Sequence, residues 1–148
     1  MYSVEPADRG QRIVEWQPLS FNVHFMVREN TAKDVRIAAQ FLLADGPPSA
    51  EVSRAVSMQF KATEAQQLNY HGPDLGPGTG KYQTVSLSLT DRQVLAILAG
   101  RSTIYVVGTV HWVNPSGSDG HSDGCTYLQK PIEPYLNFSN SVWHECGI

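Results

Sequence analysis

The sequence is poor in the features that mark several common classes of protein. Only 17% of its 148 residues are charged, the formal net charge is -3, and the 11 Lys and Arg residues form no block. Nucleic-acid binding is therefore not expected, because it needs cations clustered against phosphates. No stretch approaches the roughly 18 apolar residues that span a bilayer, and the start has no signal-peptide pattern.

The sequence also lacks the common catalytic motifs. It has no G-x-S-x-G, so a hydrolase with a nucleophile elbow has no support. The stretch HGPDLGPGTGKYQT at 71–84 looks like a phosphate loop, but Leu75 stands where the first Gly belongs, and Tyr82 replaces the hydroxyl residue that would hold magnesium. The residues that follow alternate like a strand, so no helix N-terminus faces an anion. We predict no nucleotide binding and no enzymatic activity.

Apolar residues and turn residues, in contrast, are plentiful. Hydrophobic residues make up 41% of the chain, with 12 Gly and 9 Pro. This composition fits one domain with one core and many turns, as in all-β proteins. We predict a single domain over 1–148, in which 1–12 form a leading segment and 131–148 a packed tail. Three tryptophans are expected to pack in the core or at its edge: Trp16, Trp112 and Trp143.

Alternation of apolar and polar residues predicts most of the strands. The segments 20–27 and 34–43 alternate on either side of a short turn, so we predict that they pair antiparallel. The segment 102–113 is rich in β-branched and aromatic residues, and we expect it to pair with 121–129. KYQTVSLSL at 81–89 predicts a further strand.

Two segments carry helix signals. TDRQVLAILAG at 90–100 begins with a capping box of Thr90 and Gln93. The segment 49–68 has apolar residues four apart behind Ser49, a suitable N-cap, although a strand around AVSMQF is the alternative. The expected fold class is therefore mainly β, an antiparallel sandwich with one or two short helices in the connections.

In their order, these segments resemble a family of bacterial membrane-anchored proteins of unknown function. In that family one or two N-terminal transmembrane helices precede an immunoglobulin-like β-sandwich. The resemblance rests on YSVEP, QPLSFNVHFMVRENTAKDVRI, LTDRQVLAILAGRSTIYVVGTVHW, GHSDGCTY and WHECG. The turn at Glu29, Asn30 and Thr31 departs from the family's usual Asn-x-Gly and Pro-Ala.

The resemblance implies an immunoglobulin-like sandwich that is held at a membrane by an N-terminal anchor absent from this chain. It implies no activity, because the family has no established one. We predict a non-enzymatic sensing or interaction domain, without a cofactor, whose partner is an unknown protein or small ligand. The expected location is extracytoplasmic, with the cytoplasm as the alternative. A small-ligand or metal-binding receptor domain is the alternative function, and a hydrolase ranks lowest.

The two cysteines, Cys125 and Cys146, are candidates for one disulfide. The bond would close a loop of about 21 residues and stabilise the fold by roughly 3 kcal/mol on the chain-entropy model. It would tie the tail to the strand after the hairpin, and it would persist in an oxidising compartment. The tail carries apolar residues that need burial: Tyr135, Leu136, Phe138, Val142 and Trp143. Two reduced, buried thiols are the alternative.

Four residues near the end of the chain have a zinc-like composition: His121, Cys125, His144 and Cys146. They are the alternative metal site. If 121–125 is extended, His121 and Cys125 lie about 13 Å apart, too far to share one ion. The nearby SGSDGHSDG, with Asp119 and Asp123, lacks the ligand spacing of a calcium loop, and we expect a solvated hairpin tip.

Overall fold

Two antiparallel sheets form most of the molecule in the computed structural model, which describes residues 2–6, 11–12, 18–128, 135–136 and 143–147. The elements are β1 (Tyr2–Pro6), β2 (Gln11–Arg12), β3 (Pro18–Met26), β4 (Lys33–Asp45), α1 (Ala50–Lys61), α2 (Glu64–Gln67), β5 (Gly80–Ser88), α3 (Asp91–Leu98), β6 (Ser102–Val113), β7 (Asp119–Leu128), β8 (Tyr135–Leu136) and β9 (Trp143–Glu145). One sheet has the order β1-β3-β5 and the other β4-β6-β7-β9, while β2 pairs with β8. The predicted mainly β class is confirmed, and the two sheets are consistent with a sandwich.

The predicted pairing of 20–27 with 34–43 is wrong. β3 pairs with β1 and β5, whereas β4 pairs with β6. Alternation shows that each strand buries one face, but it does not say which sheet the strand joins. The chain crosses between the sheets here, so the rings of Phe21 and Phe41 meet across the core with centroids 5.5 Å apart.

Other predicted elements are confirmed. β6 and β7 pair antiparallel, YSVEP forms β1, and β5 follows the glycine-rich stretch. α1 begins after Ser49, whose side chain accepts a hydrogen bond from the Val52 N–H, so this segment is a helix and not a strand. α3 has the capping box of Thr90 and Gln93. The four-residue α2, which makes three helices in all among the described residues, is too short to show a period in the sequence.

Apolar residues fill the space between the sheets and also a layer beneath α1. Between the sheets lie Phe21, Val23, Phe41, Val85, Ile104 and Val106, extended at one end by Phe25, Val35, Ile37 and Val110. On the outer face of the four-stranded sheet, Val56 and Phe60 of α1 pack on Ala38, Leu42, Tyr105 and Val107. The helix covers β4 and β6 on this face, which leaves β7 beside it.

The described part of the tail forms two short strands, of which β9 joins the four-stranded sheet. β8 pairs with β2, and β9 pairs with β7. Trp143 packs edge-on against Phe21 with centroids 4.9 Å apart, and Trp112 stacks on Phe25 at 5.6 Å, so both tryptophans pack as predicted. The predictions for Trp16, Phe138 and Val142 lie outside the described residues. Within the described ranges, no helix is long and apolar enough to cross a membrane.

Candidate functional site

The disulfide joins the last described strand to β7. The Cα atoms of Cys125 and Cys146 are 5.4 Å apart and the sulfurs are bonded, which confirms the predicted pair. The backbone N–H of Cys146 also donates to the Cys125 carbonyl at 3.0 Å. β9 itself pairs with β7 only over 126–128. The covalent bond therefore holds in place a strand that has few backbone hydrogen bonds of its own.

The residues of the alternative metal site are not gathered around one point. The two cysteines share the disulfide, so neither supplies a thiolate. The ring of His144 stacks on Tyr127 at 5.4 Å, whereas His121 lies beside His111 at 5.7 Å. Because His121 and Tyr127 are six residues apart in one strand, His121 and His144 are separated by about 20 Å. Among the described residues, no group of three or more His, Cys, Asp or Glu is placed to hold a metal ion.

A groove of about 380 Å³ lies on the outer face of the four-stranded sheet, between α1 and β7. Its α1 side carries two cations, Arg54 and Lys61, and Glu64 follows at the start of α2. Its β7 side carries Asp123 and Cys125. The groove forms because the helix packs on β4 and β6 and stops short of β7.

Polar side chains continue along this face beyond the groove. The Thr109 hydroxyl donates to Oδ1 of Asp123 at 2.7 Å across the β6–β7 pair, which fixes that carboxylate. In the next row His111 faces His121, and Arg36 of β4 lies opposite His111. This end of the face is therefore polar, unlike the end beneath α1.

Within the described residues, the edge of β7 beyond β9 has backbone groups that no other strand pairs. In an antiparallel sheet, alternate residues direct their N–H and C=O to opposite neighbours. The Cys125 carbonyl accepts a hydrogen bond from β9, on the side away from β6. Asp123 and His121 lie two and four residues earlier in the strand, so their backbone N–H and C=O groups point to the same side. In the part of the chain that the structure describes, no strand pairs with this side of 119–125. A hollow of about 370 Å³ lies where β9 ends, lined by β7 and by Glu145 to Gly147.

The opposite edge of the same sheet, along β4, is covered by the segment 67–75. Three outward amides of β4 find acceptors in it: Val35 on the Pro73 carbonyl at 2.8 Å, Ile37 on the Tyr70 hydroxyl at 3.0 Å and Ala39 on Gln67 Oε1 at 3.0 Å. The Lys81 ammonium donates to the Tyr70 hydroxyl at 3.1 Å. Much of the stretch that resembles a phosphate loop therefore serves to cover this edge.

An ion pair anchors the covering segment. Asp34 has a left-handed φ of 50°, and its carboxylate accepts hydrogen bonds from the Arg36 guanidinium at 2.5 Å and from the Gly72 N–H at 2.6 Å. Arg36 also donates to the Leu68 carbonyl at 3.1 Å. The hydrogen bond from Arg36, followed by that from Gly72, lowers the pKa of Asp34, and the Asp34 carboxylate raises the pKa of Arg36.

Sequence reasoning found the cysteines and His121, but it missed Asp34, Arg36, His111 and Thr109. Their spacing along the strands reveals a shared face only after the neighbouring strand and its register are known. The comparison with family models, with curated proteins and with solved structures found no match for this chain.

Proposed function

We propose that this chain is a non-enzymatic interaction domain that binds an extended segment of a partner protein at the edge of β7. The observation that carries the proposal is the row of outward backbone groups at His121 and Asp123, next to the hollow at the end of β9. Peptides commonly bind to such edges by adding a strand, with main-chain hydrogen bonds giving affinity and side-chain pockets giving specificity.

The charges beside the edge favour a basic segment. Asp119 and Asp123 are exposed on β7, and Glu145 is exposed at the end of β9. A second copy of this chain, paired antiparallel at the same edge, would bring these acids close to each other, which is unfavourable. A segment with Lys or Arg beside the edge would neutralise these acids.

The disulfide supports an oxidising compartment, because cytosolic thiols are kept reduced. Attachment to a bacterial membrane rests on the sequence resemblance alone, and we include it in the proposal as that resemblance implies it.

Position-specific photo-crosslinking in cells tests the partner. A photoreactive residue placed at Asp119, on the edge, and at Lys61, in the groove, should give the same crosslinked protein. Tyr82, which is 63% exposed on the other sheet, is the control position and should give none. Asp123→Lys should abolish the crosslink from Asp119. Equal crosslinking from Tyr82 would contradict the proposal, and crosslinking to no protein would favour the small-ligand alternative.

The compartment and the anchor are tested on the protein from its native source. A thiol count under denaturing, non-reducing conditions should find no free thiol, whereas two free thiols would place the domain in a reducing compartment. Alkaline extraction should leave the protein in the membrane pellet if it is anchored, and a fully soluble protein would contradict the anchor.

A further inference from the structure

We propose that His111 and His121 form a binding site for a divalent transition-metal ion on the outer face of the four-stranded sheet. The two residues are directly opposite each other in the β6–β7 register. Their ring centroids are 5.7 Å apart, with an angle of 38° between the planes. The site differs from the set of four residues that the sequence suggested. It keeps His121, adds His111 of β6, and includes neither cysteine nor His144.

The spacing of the rings fits a shared ion. Metal–nitrogen bonds to histidine are about 2.0–2.1 Å, so two imidazoles on one tetrahedral ion have ring centres on the order of 5 Å apart. Because the outward residues of β7 do not exchange hydrogen bonds with β6, His111 and His121 form the closer kind of cross-strand pair, in which side chains approach most nearly. A small rotation of the side chains brings one nitrogen of each ring to the same ion.

The surrounding charges favour a cation on balance. Asp119 and Asp123 flank His121 on the same face of β7, each about 7 Å along the strand. Arg36 faces His111 from β4, but its guanidinium is held by the Asp34 carboxylate and the Leu68 carbonyl. Since His121 is exposed and His111 is half-buried, an ion reaches both rings from solvent.

The ligand chemistry selects the class of ion. Neutral imidazole suits Zn²⁺, Ni²⁺ and Cu²⁺, whereas Mg²⁺ and Ca²⁺ prefer oxygen ligands. Two histidines fill half of a tetrahedral site, and water supplies the rest.

Calorimetric titration of the untagged protein with Zn²⁺ near neutral pH tests the site. We expect one ion per chain, at least about tenfold weaker binding in His111→Ala and in His121→Ala, and no response to Mg²⁺. His144→Ala is the matched control, because His144 lies on the same face of the sheet but stacks on Tyr127, and it should bind Zn²⁺ like the wild type.

A second readout locates the ion. Paramagnetic Ni²⁺ should broaden the amide resonances around His111 and His121 and leave those around His144 sharp. Absence of Zn²⁺ binding by the wild-type protein, equal binding by His121→Ala, or broadening centred on another residue would overturn the proposal. The result is independent of the proposed partner, because no partner is present in either experiment.

Discussion

The two edges of the four-stranded sheet are protected in different ways. Along β4, the segment 67–75 supplies acceptors for three successive outward amides, and the Asp34–Arg36 pair holds that segment in place. Along β7, β9 pairs with 126–128 and is joined to Cys125 by the disulfide, and no other described strand pairs with this edge. An uncovered edge invites pairing with other chains, and proteins manage this risk with a covering segment or with charged residues.

The first edge is protected by a covering segment of the chain, and the second by charged side chains. The edge along β4 is covered by the segment 67–75, whereas 119–123 of β7 carry Asp119, His121 and Asp123. Charged side chains discourage unselective pairing and leave the edge open to a segment of complementary charge. Variants at the two edges test this contrast.

Gly72→Ala should disrupt the covered edge. A Cβ at this position would overlap the carbonyl oxygen of Val35, so the segment must move away from β4. We expect a loss on the order of 4 kcal/mol in the free energy of unfolding, measured with urea. Gly76→Ala is the control, because its Cβ would meet nothing within 4 Å and should change stability by less than about 0.5 kcal/mol. Similar losses in both variants would show that the segment tolerates no substitution for a reason other than this contact.

Replacing both cysteines with serine should release β9 from the other edge. The bond spans 21 residues in sequence, so its removal should lower the free energy of unfolding by roughly 3 kcal/mol. Reduction of the wild type should produce a similar loss, and the double variant should not respond to reductant. An unchanged urea midpoint would mean that packing of Trp143 alone holds the strand.

Tyr70→Phe should weaken the cover without removing it. The hydroxyl accepts hydrogen bonds from the Ile37 N–H and from the Lys81 ammonium. Its loss leaves a backbone donor unpaired, which we expect to cost about 1–2 kcal/mol in urea unfolding. Tyr82→Phe removes the same group from a side chain that is 63% exposed and should have almost no effect. Equal stability of the two variants would argue against the edge contact.

Acidification should weaken the ion pair at the covered edge. The folded-state pKa of Asp34 is lowered, so its contribution to stability is complete above the unfolded value near 3.8 and is lost as the pH falls through the lower folded value. In Asp34→Asn, the free energy of unfolding should therefore fall less steeply as the pH is lowered below about pH 4. Asn is a suitable replacement because it tolerates the left-handed backbone conformation. A fall as steep in Asp34→Asn as in the wild type would contradict the assignment.

Most helices and strands could be predicted from local sequence patterns, but the pairing of distant strands could not. The capping box at Thr90 and the alternation in 102–113 depend on residues near each other in sequence, so both predictions hold. The pairing of 20–27 with 34–43 failed because β3 pairs with β5 and β4 pairs with β6, each more than 50 residues later along the chain, while β1 precedes β3. The same long range hides the contact of Asp34 with Gly72. His111 and His121 are close in sequence, but they face each other only in the particular register that β6 and β7 adopt.

Hydrogen exchange of single amides by NMR tests the contrast between the edges most directly. Ile37 and Ala39 lie at the edge of the sheet, yet their amides should exchange at least roughly a hundredfold more slowly than those of His121 and Asp123. We expect slow amide exchange along β4 and fast amide exchange along 119–123 of β7 in the isolated domain. Exchange at His121 and Asp123 as slow as at Ile37 would show that this edge is already covered, and it would contradict the proposed binding site.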